Sequence, residues 1–187
     1  MKTGKLIVFE GADEVGKTTL AAMLAESLLS RSLACEVVGF PGNEVGTLGF
    51  HVNEFHHDSA RFQVKGINPT SLQMLHVAAH IDAIDRRIIP ALRKSRIVIL
   101  DRFWWSSWVY GTVNGANKES LEAVIRAESI HWMGIKPSRV FLITSQTPFE
   151  KQADLGKWKR ISALYRKFAS REQRKYPVTV IENKSTL

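Results

Sequence analysis

A glycine-rich segment, residues 11–18, constrains the fold of this chain more than any other feature of the sequence. It reads GADEVGKT and matches the pattern G-x-x-x-x-G-K-[ST] in full. An apolar run at residues 6–9 precedes it, and leucines recur at every fourth position from Leu20. The order of strand, glycine-rich turn and helix is the context in which this pattern forms a phosphate-binding loop.

The residue types in this segment suit a nucleoside triphosphate. Gly11 and Gly16 allow backbone angles at which successive N–H groups converge on phosphate oxygens, and the following helix adds the positive end of its dipole. Lys17 can reach the β- and γ-phosphates, and the Thr18 hydroxyl suits Mg²⁺. We therefore predict that ATP is bound by Gly11, Ala12, Asp13, Glu14, Val15, Gly16, Lys17, Thr18 and Thr19, and that Thr18 also binds Mg²⁺.

Length and composition favour a single domain over residues 1–187. We expect neither a membrane span nor a signal peptide, because no apolar run is long enough for either. The single cysteine, Cys35, predicts a cytoplasmic protein, in the host cytoplasm if the protein is viral. The net charge of +8 either favours a polyanion such as nucleic acid or only keeps the protein soluble.

Apolar runs along the rest of the chain predict four further strands, at residues 35–40, 96–100, 140–143 and 177–181. Helical patterns alternate with them, including one long helix that Thr70 or Ser71 caps and that Pro90 kinks or restarts. This alternation predicts an α/β fold, a three-layer sandwich around a five-stranded parallel sheet. Ligands gather at the carboxyl ends of such strands, where the phosphate loop and Asp101 both fall.

The order of the motifs resembles the thymidylate kinase family of nucleoside-monophosphate kinases. After the phosphate-binding segment, FPG at residues 40–42 stands where the family has Phe-Pro-Arg, and AAH at 78–80 is similar to part of its substrate helix. DRFWWSSWVY at 101–110 resembles the family signature D-R-[YH]-x-x-S-x-x-A-Y-Q, and Tyr165 lies where the last helix carries a tyrosine. The resemblance covers essentially the whole chain.

The resemblance implies roles for particular residues. Asp101 would lie near Mg²⁺, and Arg102 would be the cation that donor and acceptor phosphates share; the alternative is a structural ion pair at the strand end. The segment 145–160 would be the lid, and homodimers are usual in the family. The predicted catalytic residues are Asp13, Glu14, Lys17, Asp101 and Arg102.

The positions that contact the acceptor depart from the family pattern. Family members stack a phenylalanine on thymine and bind it with an arginine four residues later, and these positions are His76 and His80 here. Gly42 replaces the arginine that clamps the acceptor phosphate. The lid carries no unambiguous match to the family's arginines; its cations are Lys151, Lys157, Lys159 and Arg160.

These departures favour a hydroxyl acceptor over a phosphate acceptor. A hydroxyl needs no clamp but benefits from a carboxylate that accepts its proton, and Asp13 and Glu14 are the candidates. The sequence therefore predicts transfer to a hydroxyl of a nucleic-acid component, with 5-hydroxymethyluracil in DNA as the first choice. The alternatives are a conventional kinase for dTMP or another nucleoside monophosphate, and a nucleotide-binding protein without transfer activity.

Histidine and tryptophan side chains supply the remaining candidates. His76 and His80 lie one helical turn apart and either bind the acceptor or are ordinary polar helix residues. The three tryptophans after the 96–100 strand either stack on a base or pack in the core. The predicted substrate contacts are Gly42, His76, His80, Arg102 and Trp105.

Overall fold

The protein is described here by a computed structural model that covers residues 4–149 and 154–184. Its centre is a parallel five-stranded sheet with the order β2-β3-β1-β4-β5. The strands are β1 (Lys5–Glu10), β2 (Cys35–Gly39), β3 (Ile97–Asp101), β4 (Arg139–Thr144) and β5 (Val178–Glu182). Each strand begins and ends within about one residue of its prediction, and the predicted α/β fold is confirmed.

Burial follows the position of each strand in the sheet. The three inner strands contribute side chains that are fully buried, because helices cover both faces; these include Val8, Val98, Leu100, Val140 and Leu142. The edge strands β2 and β5 leave Val37 and Val180 exposed. The continuous apolar runs seen in the sequence are therefore explained by two-sided burial.

Seven α-helices flank the sheet in the described part of the chain: α1 (Lys17–Leu29), α2 (Leu48–His57), α3 (Pro69–Ala83), α4 (Ile89–Arg93), α5 (Trp104–Val113), α6 (Lys118–His131) and α7 (Leu155–Glu172). A 3₁₀ turn, Ser59–Phe62, lies in the loop between α2 and α3. Among the described helices, none combines the length and the apolar character that crossing a bilayer requires.

The long helix predicted over residues 70–94 differs from the structure in its cap, whereas its restart near Pro90 agrees with the prediction. Its cap is Asn68, whose side-chain oxygen accepts from the Thr70 N–H at 2.9 Å, and neither Thr70 nor Ser71 is the cap. The irregularity is a π-helical turn, Ile84–Ile88, which ends before Pro90. Proline cannot donate a backbone hydrogen bond to the preceding turn, so the helix widens there and restarts as α4.

The register of the inner strands places the functional segments side by side. Phe9 of β1 is paired with Asp101 of β3, so the phosphate-binding segment and Arg102 emerge from the same edge of the sheet. The Arg102 N–H donates to the Phe9 carbonyl at 2.9 Å and extends this pairing by one residue. The edge of the sheet thus brings together residues that lie about 90 positions apart in sequence.

Candidate active site

The segment 11–16 forms a tight loop between β1 and α1 that only glycine permits at two points. Gly11 has a φ of 145°, and a Cβ there would lie 2.3 Å from the Ile143 carbonyl oxygen. Gly16 has a φ of 85° and stands at the N-cap of α1. The loop therefore presents its N–H groups and the first turn of α1 to one concave site, which suits phosphate.

Lys17 lies buried in this loop, with 5% of its surface exposed. Its ammonium group donates to the carbonyl of Ala12, so the side chain folds back over the loop. Burial, followed by the charge of Arg102, lowers the pKa of Lys17 to about 8. A desolvated cation of this kind interacts strongly with an anion that enters the loop.

Thr18 and Asp101 lie in contact at the carboxyl ends of β1 and β3. The Thr18 hydroxyl donates to one carboxylate oxygen of Asp101 at 2.6 Å. The other oxygen, Oδ1, is buried and accepts no hydrogen bond from the residues that the structure describes. A buried carboxylate oxygen next to a hydroxyl is the donor set that Mg²⁺ prefers, so these two residues fit the ion.

Arg102 has a left-handed backbone, with a φ of 74°, directly after β3. For a residue that bulky this conformation is strained and is typical of functional positions. The guanidinium group donates to Asp13 and, at 3.3 Å, to the Ser106 hydroxyl. It also lies 5.4 Å above the ring of Tyr110. These contacts fix the cation beside the phosphate-binding loop.

Asp13 is held from two sides by Arg102 and by the Tyr110 hydroxyl, which donates to its second oxygen at 2.6 Å. Burial acts to raise the pKa of Asp13, but the charge of Arg102 and the Tyr110 hydrogen bond outweigh it and lower the pKa below its usual range. Asp13 is therefore an ionised and weakly basic carboxylate. Such a group positions a ligand better than it accepts a proton.

A cavity of about 520 Å³ opens next to these residues. The phosphate-binding loop, α2, α3, α5 and α7 all contribute to its wall. Five of the predicted catalytic and substrate-binding residues line it: Asp13, Glu14, His76, His80 and Arg102. Its volume is within the range of pockets that hold small ligands.

Comparison with known proteins agrees with this geometry. Residues 9–175 match the thymidylate kinase family. The chain belongs to that family. It is 35% identical over 156 residues to a thymidylate kinase from Thermoanaerobacter sp. (strain X514), a match that covers 82% of this chain and 71% of that protein.

Two further thymidylate kinases extend the similarity. The thymidylate kinase from Pelotomaculum thermopropionicum is 31% identical over 191 residues, covering 94% of this chain and 84% of that protein. The crystal structure of thymidylate kinase from Ehrlichia chaffeensis superposes with a TM-score of 0.75 at 23% identity, over 98% of this chain and 89% of that chain. The latter similarity shows the shared fold.

Membership of the thymidylate kinase family makes this chain an ATP-dependent kinase that uses Mg²⁺. Thr18 and Asp101 are the residues that would hold the ion, which when bound offsets the negative charge of the phosphates. The chain's own contribution is the loop between β1 and α1, with the Lys17 ammonium group folded over it and Arg102 held against its Asp13.

The two predicted histidines of this family member have different environments. His80 is buried, its Nδ1 lies 3.0 Å from a Glu128 oxygen, and its ring stacks on Phe40 at 4.0 Å. His76 contacts the ring of His56 at 4.9 Å. His80 is thus anchored to α6 while one edge reaches the cavity, and His76 is the freer of the two for contact with a ligand.

Two predicted substrate contacts need correction. Trp105 is fully buried in the core, where its indole N–H donates to Tyr176 at 3.0 Å, so it cannot stack on a base. Gly42 lies in a second cavity beside Gly49, and a Cβ on Gly42 would lie 3.2 Å from the Gly49 Cα. Gly42 has a φ of 129°, which strains any residue with a side chain, and it allows close approach of α2, so backbone and packing both favour glycine there.

The predicted lid is partly outside the described residues, which exclude Lys151. Its other three cations, Lys157, Lys159 and Arg160, lie at exposed positions, and Lys157 also lines the cavity beside Asp13 and Arg102. The neighbouring Trp158 donates its indole N–H to the Asp13 carbonyl at 3.0 Å. The start of α7 is therefore in direct contact with the phosphate-binding loop.

Sequence reasoning missed the buried network beneath Arg102. Glu10 is fully buried and accepts from the Phe103 N–H at 2.8 Å and from the N–H and hydroxyl of Ser106 at 3.1 and 2.9 Å. The Ser106 hydroxyl also lies 2.7 Å from the Tyr165 hydroxyl. No local pattern indicates this network, because Glu10 and Ser106 lie 96 positions apart in the sequence.

We expect this network to make folding stability depend on pH. Burial raises the pKa of Glu10 to about 7, although Arg102 opposes the shift. Because the folded state holds the proton more tightly, the stabilisation is complete below pH 4.5 and is lost as the pH rises to about 7. Glu10→Gln should flatten the pH dependence of the unfolding free energy across this window, as measured by denaturant titration.

Exposed Glu119 offers the matched control for Glu10→Gln. The substitution Glu119→Gln should leave the pH dependence of unfolding as it is in the wild type. Parallel curves for wild type and Glu10→Gln would contradict the assignment of this titration to Glu10.

Proposed function

We propose that this kinase transfers the γ-phosphoryl group of ATP to a nucleoside monophosphate, with dTMP as the first candidate. The relatives that match it over most of their length are thymidylate kinases. The proposed acceptor is therefore a free nucleoside monophosphate, the alternative that the sequence left open, and not 5-hydroxymethyluracil in DNA.

The observation that carries the proposal is the arrangement of cations around Asp13. Arg102 contacts Asp13 at the junction of the loop and the acceptor cavity, Lys17 lies in the loop, and Lys157 reaches the cavity from α7. An anionic acceptor requires cations that offset its repulsion from ATP, and it needs no general base. Lys157 therefore supports acceptor-phosphate binding although Gly42 replaces the family arginine.

The lowered pKa of Asp13 also favours a phosphate acceptor over a hydroxyl acceptor. A hydroxyl acceptor benefits from a carboxylate whose pKa is close to the working pH. Arg102 and the Tyr110 hydroxyl instead hold the pKa of Asp13 below its usual range. Asp13 is thus better suited to hold Arg102 and a sugar hydroxyl in place than to take up a proton.

A panel of acceptors tests the proposal. Purified protein with ATP and Mg²⁺ should release ADP in the presence of dTMP. Among nucleoside monophosphates, kcat/KM should differ by about tenfold or more between the best and the worst acceptor. A second arm offers DNA that contains 5-hydroxymethyluracil. Phosphate incorporation into that DNA, without turnover of any free monophosphate, would overturn the proposal in favour of the hydroxyl acceptor.

Three further predictions from the sequence accompany this proposal. We propose a cytoplasmic location and a homodimer, and sedimentation of the purified protein tests the latter. The net charge of +8 keeps nucleic acid as a candidate partner. Binding to a non-specific DNA duplex at two salt concentrations tests whether that charge attracts polyanions.

A further inference from the structure

Gln73 is a polar residue in the middle of α3 that is almost completely buried. Only 2% of its surface is exposed, yet it lines the acceptor cavity. Its carbonyl oxygen, Oε1, has no hydrogen-bond donor among the described residues. Buried polar atoms are rarely left without a partner, because their desolvation is then uncompensated. A ligand in the cavity can supply the missing donor.

The neighbouring helix leaves room for this side chain. Gly111 of α5 faces Gln73, and a Cβ on Gly111 would lie 3.1 Å from the Gln73 Cγ and 2.7 Å from a methyl group of Leu121. The family signature has glutamine at this point of α5, directly after its tyrosine, and the chain has Gly111. Gln73 therefore occupies space that only a glycine on α5 leaves open.

Two more cavity-lining residues, like Gln73, have a buried polar atom without a hydrogen-bond partner among the described residues. The His76 Nε2 and the Ser107 hydroxyl are buried and have no hydrogen-bond partner within the part of the chain that the structure describes. Burial, with the charge of His80 next in size, lowers the pKa of His76 to about 3, so its imidazole is neutral. Helices α3 and α5 thus present three uncharged hydrogen-bonding groups to one cavity.

These groups match a planar, uncharged heterocycle better than a phosphate. The charged side chains of the cavity come from the loop, the end of β3 and the start of α7, whereas the three neutral groups without a partner come from α3 and α5. A nucleobase carries N–H donors and carbonyl acceptors along one edge, and hydrogen bonds to such edges discriminate between bases.

We propose that Gln73 is a specificity-determining residue, whose carbonyl oxygen accepts a hydrogen bond from an N–H group of the acceptor's nucleobase. His76 and Ser107 complete the polar edge that reads the base. This inference rests on the proposed function, because it requires a nucleotide acceptor. It places base recognition on a residue outside the motifs that the sequence shares with the family.

The substitution Gln73→Leu tests this assignment, since leucine has a similar volume without the amide. We expect kcat/KM for dTMP to fall about tenfold or more, with KM for ATP unchanged. The midpoint of thermal unfolding should stay the same or rise, because an unpaired buried polar group is removed. Gln173→Leu, at an exposed position, is the control. A lower unfolding midpoint with unchanged kcat/KM would show that Gln73 is structural and overturn the proposal.

A modified acceptor identifies the interacting group. The N3-methyl analogue of dTMP lacks the ring N–H, so wild type should prefer dTMP by about tenfold or more. Gln73→Leu should treat the two acceptors nearly alike, and discrimination kept at the wild-type level would overturn the proposal.

The outcomes also separate this inference from the proposed function. If wild type turns over dTMP while Gln73→Leu is equally active and selective, only the role of Gln73 fails. If wild type turns over no nucleoside monophosphate and none raises its unfolding midpoint, the proposed function fails and the inference with it.

Discussion

Replacement of Arg102 by alanine should lower kcat about 10³-fold, a loss of roughly 4 kcal/mol in stabilisation of the transition state. The charge that develops during phosphoryl transfer spreads over the transferred group, and a guanidinium fixed beside it lowers the barrier. Arg102 is fixed in this way by Asp13, by the Ser106 hydroxyl and by the ring of Tyr110.

The conservative variant Arg102→Lys separates charge from geometry. Lysine keeps the positive charge but cannot contact Asp13 and Ser106 at once, so its kcat should lie between those of wild type and Arg102→Ala. Steady-state ADP release with saturating ATP and dTMP is the measurement. Arg126→Ala removes an exposed cation on α6 and should leave kcat unchanged. A kcat for Arg102→Ala close to that of Arg126→Ala would show that Arg102 forms only a structural ion pair.

The elements with local signals were predictable from the sequence. The three inner strands contain continuous apolar runs, the two edge strands are rich in valine, and the phosphate-binding loop requires glycine at positions where φ is positive. Both signals depend on residues adjacent in the chain. Asp101 and Arg102 could be placed at the sheet edge for the same reason, because they end an apolar run.

The contacts that correct the predicted substrate residues join distant parts of the chain and could not be predicted. Trp105 is bound to Tyr176, 71 positions away, and His80 to Glu128, 48 positions away. A tryptophan or histidine near a catalytic strand is equally compatible with a ligand and with such a partner. From the sequence alone, the missing arginine at Gly42 indicates a change of acceptor, whereas in the structure a positive φ and the close approach of Gly49 both favour glycine there.

Replacement of Lys17 by methionine should have opposite effects on activity and on stability. We expect kcat/KM for ATP to fall about 10²–10³-fold, because an oriented charge is lost from a water-excluded site. The midpoint of thermal unfolding at neutral pH should nevertheless rise. Burial disfavours the ammonium form of Lys17, as its lowered pKa shows, and methionine fills similar space without that cost.

The pH dependence of the stability difference between Lys17→Met and wild type shows whether burial of the ammonium group causes it. The folded pKa of Lys17, about 8, is below its unfolded value of 10.5, so wild type regains stability as the pH rises from about 8 to 10.5. The advantage of Lys17→Met should therefore be greatest below pH 8 and shrink across that window. Lys167→Met, at an exposed position of α7, should show neither effect. If Lys17→Met is less stable than wild type below pH 8, the carboxylates Glu10, Asp13 and Asp101 outweigh burial, and Lys17 then stabilises the loop that it serves.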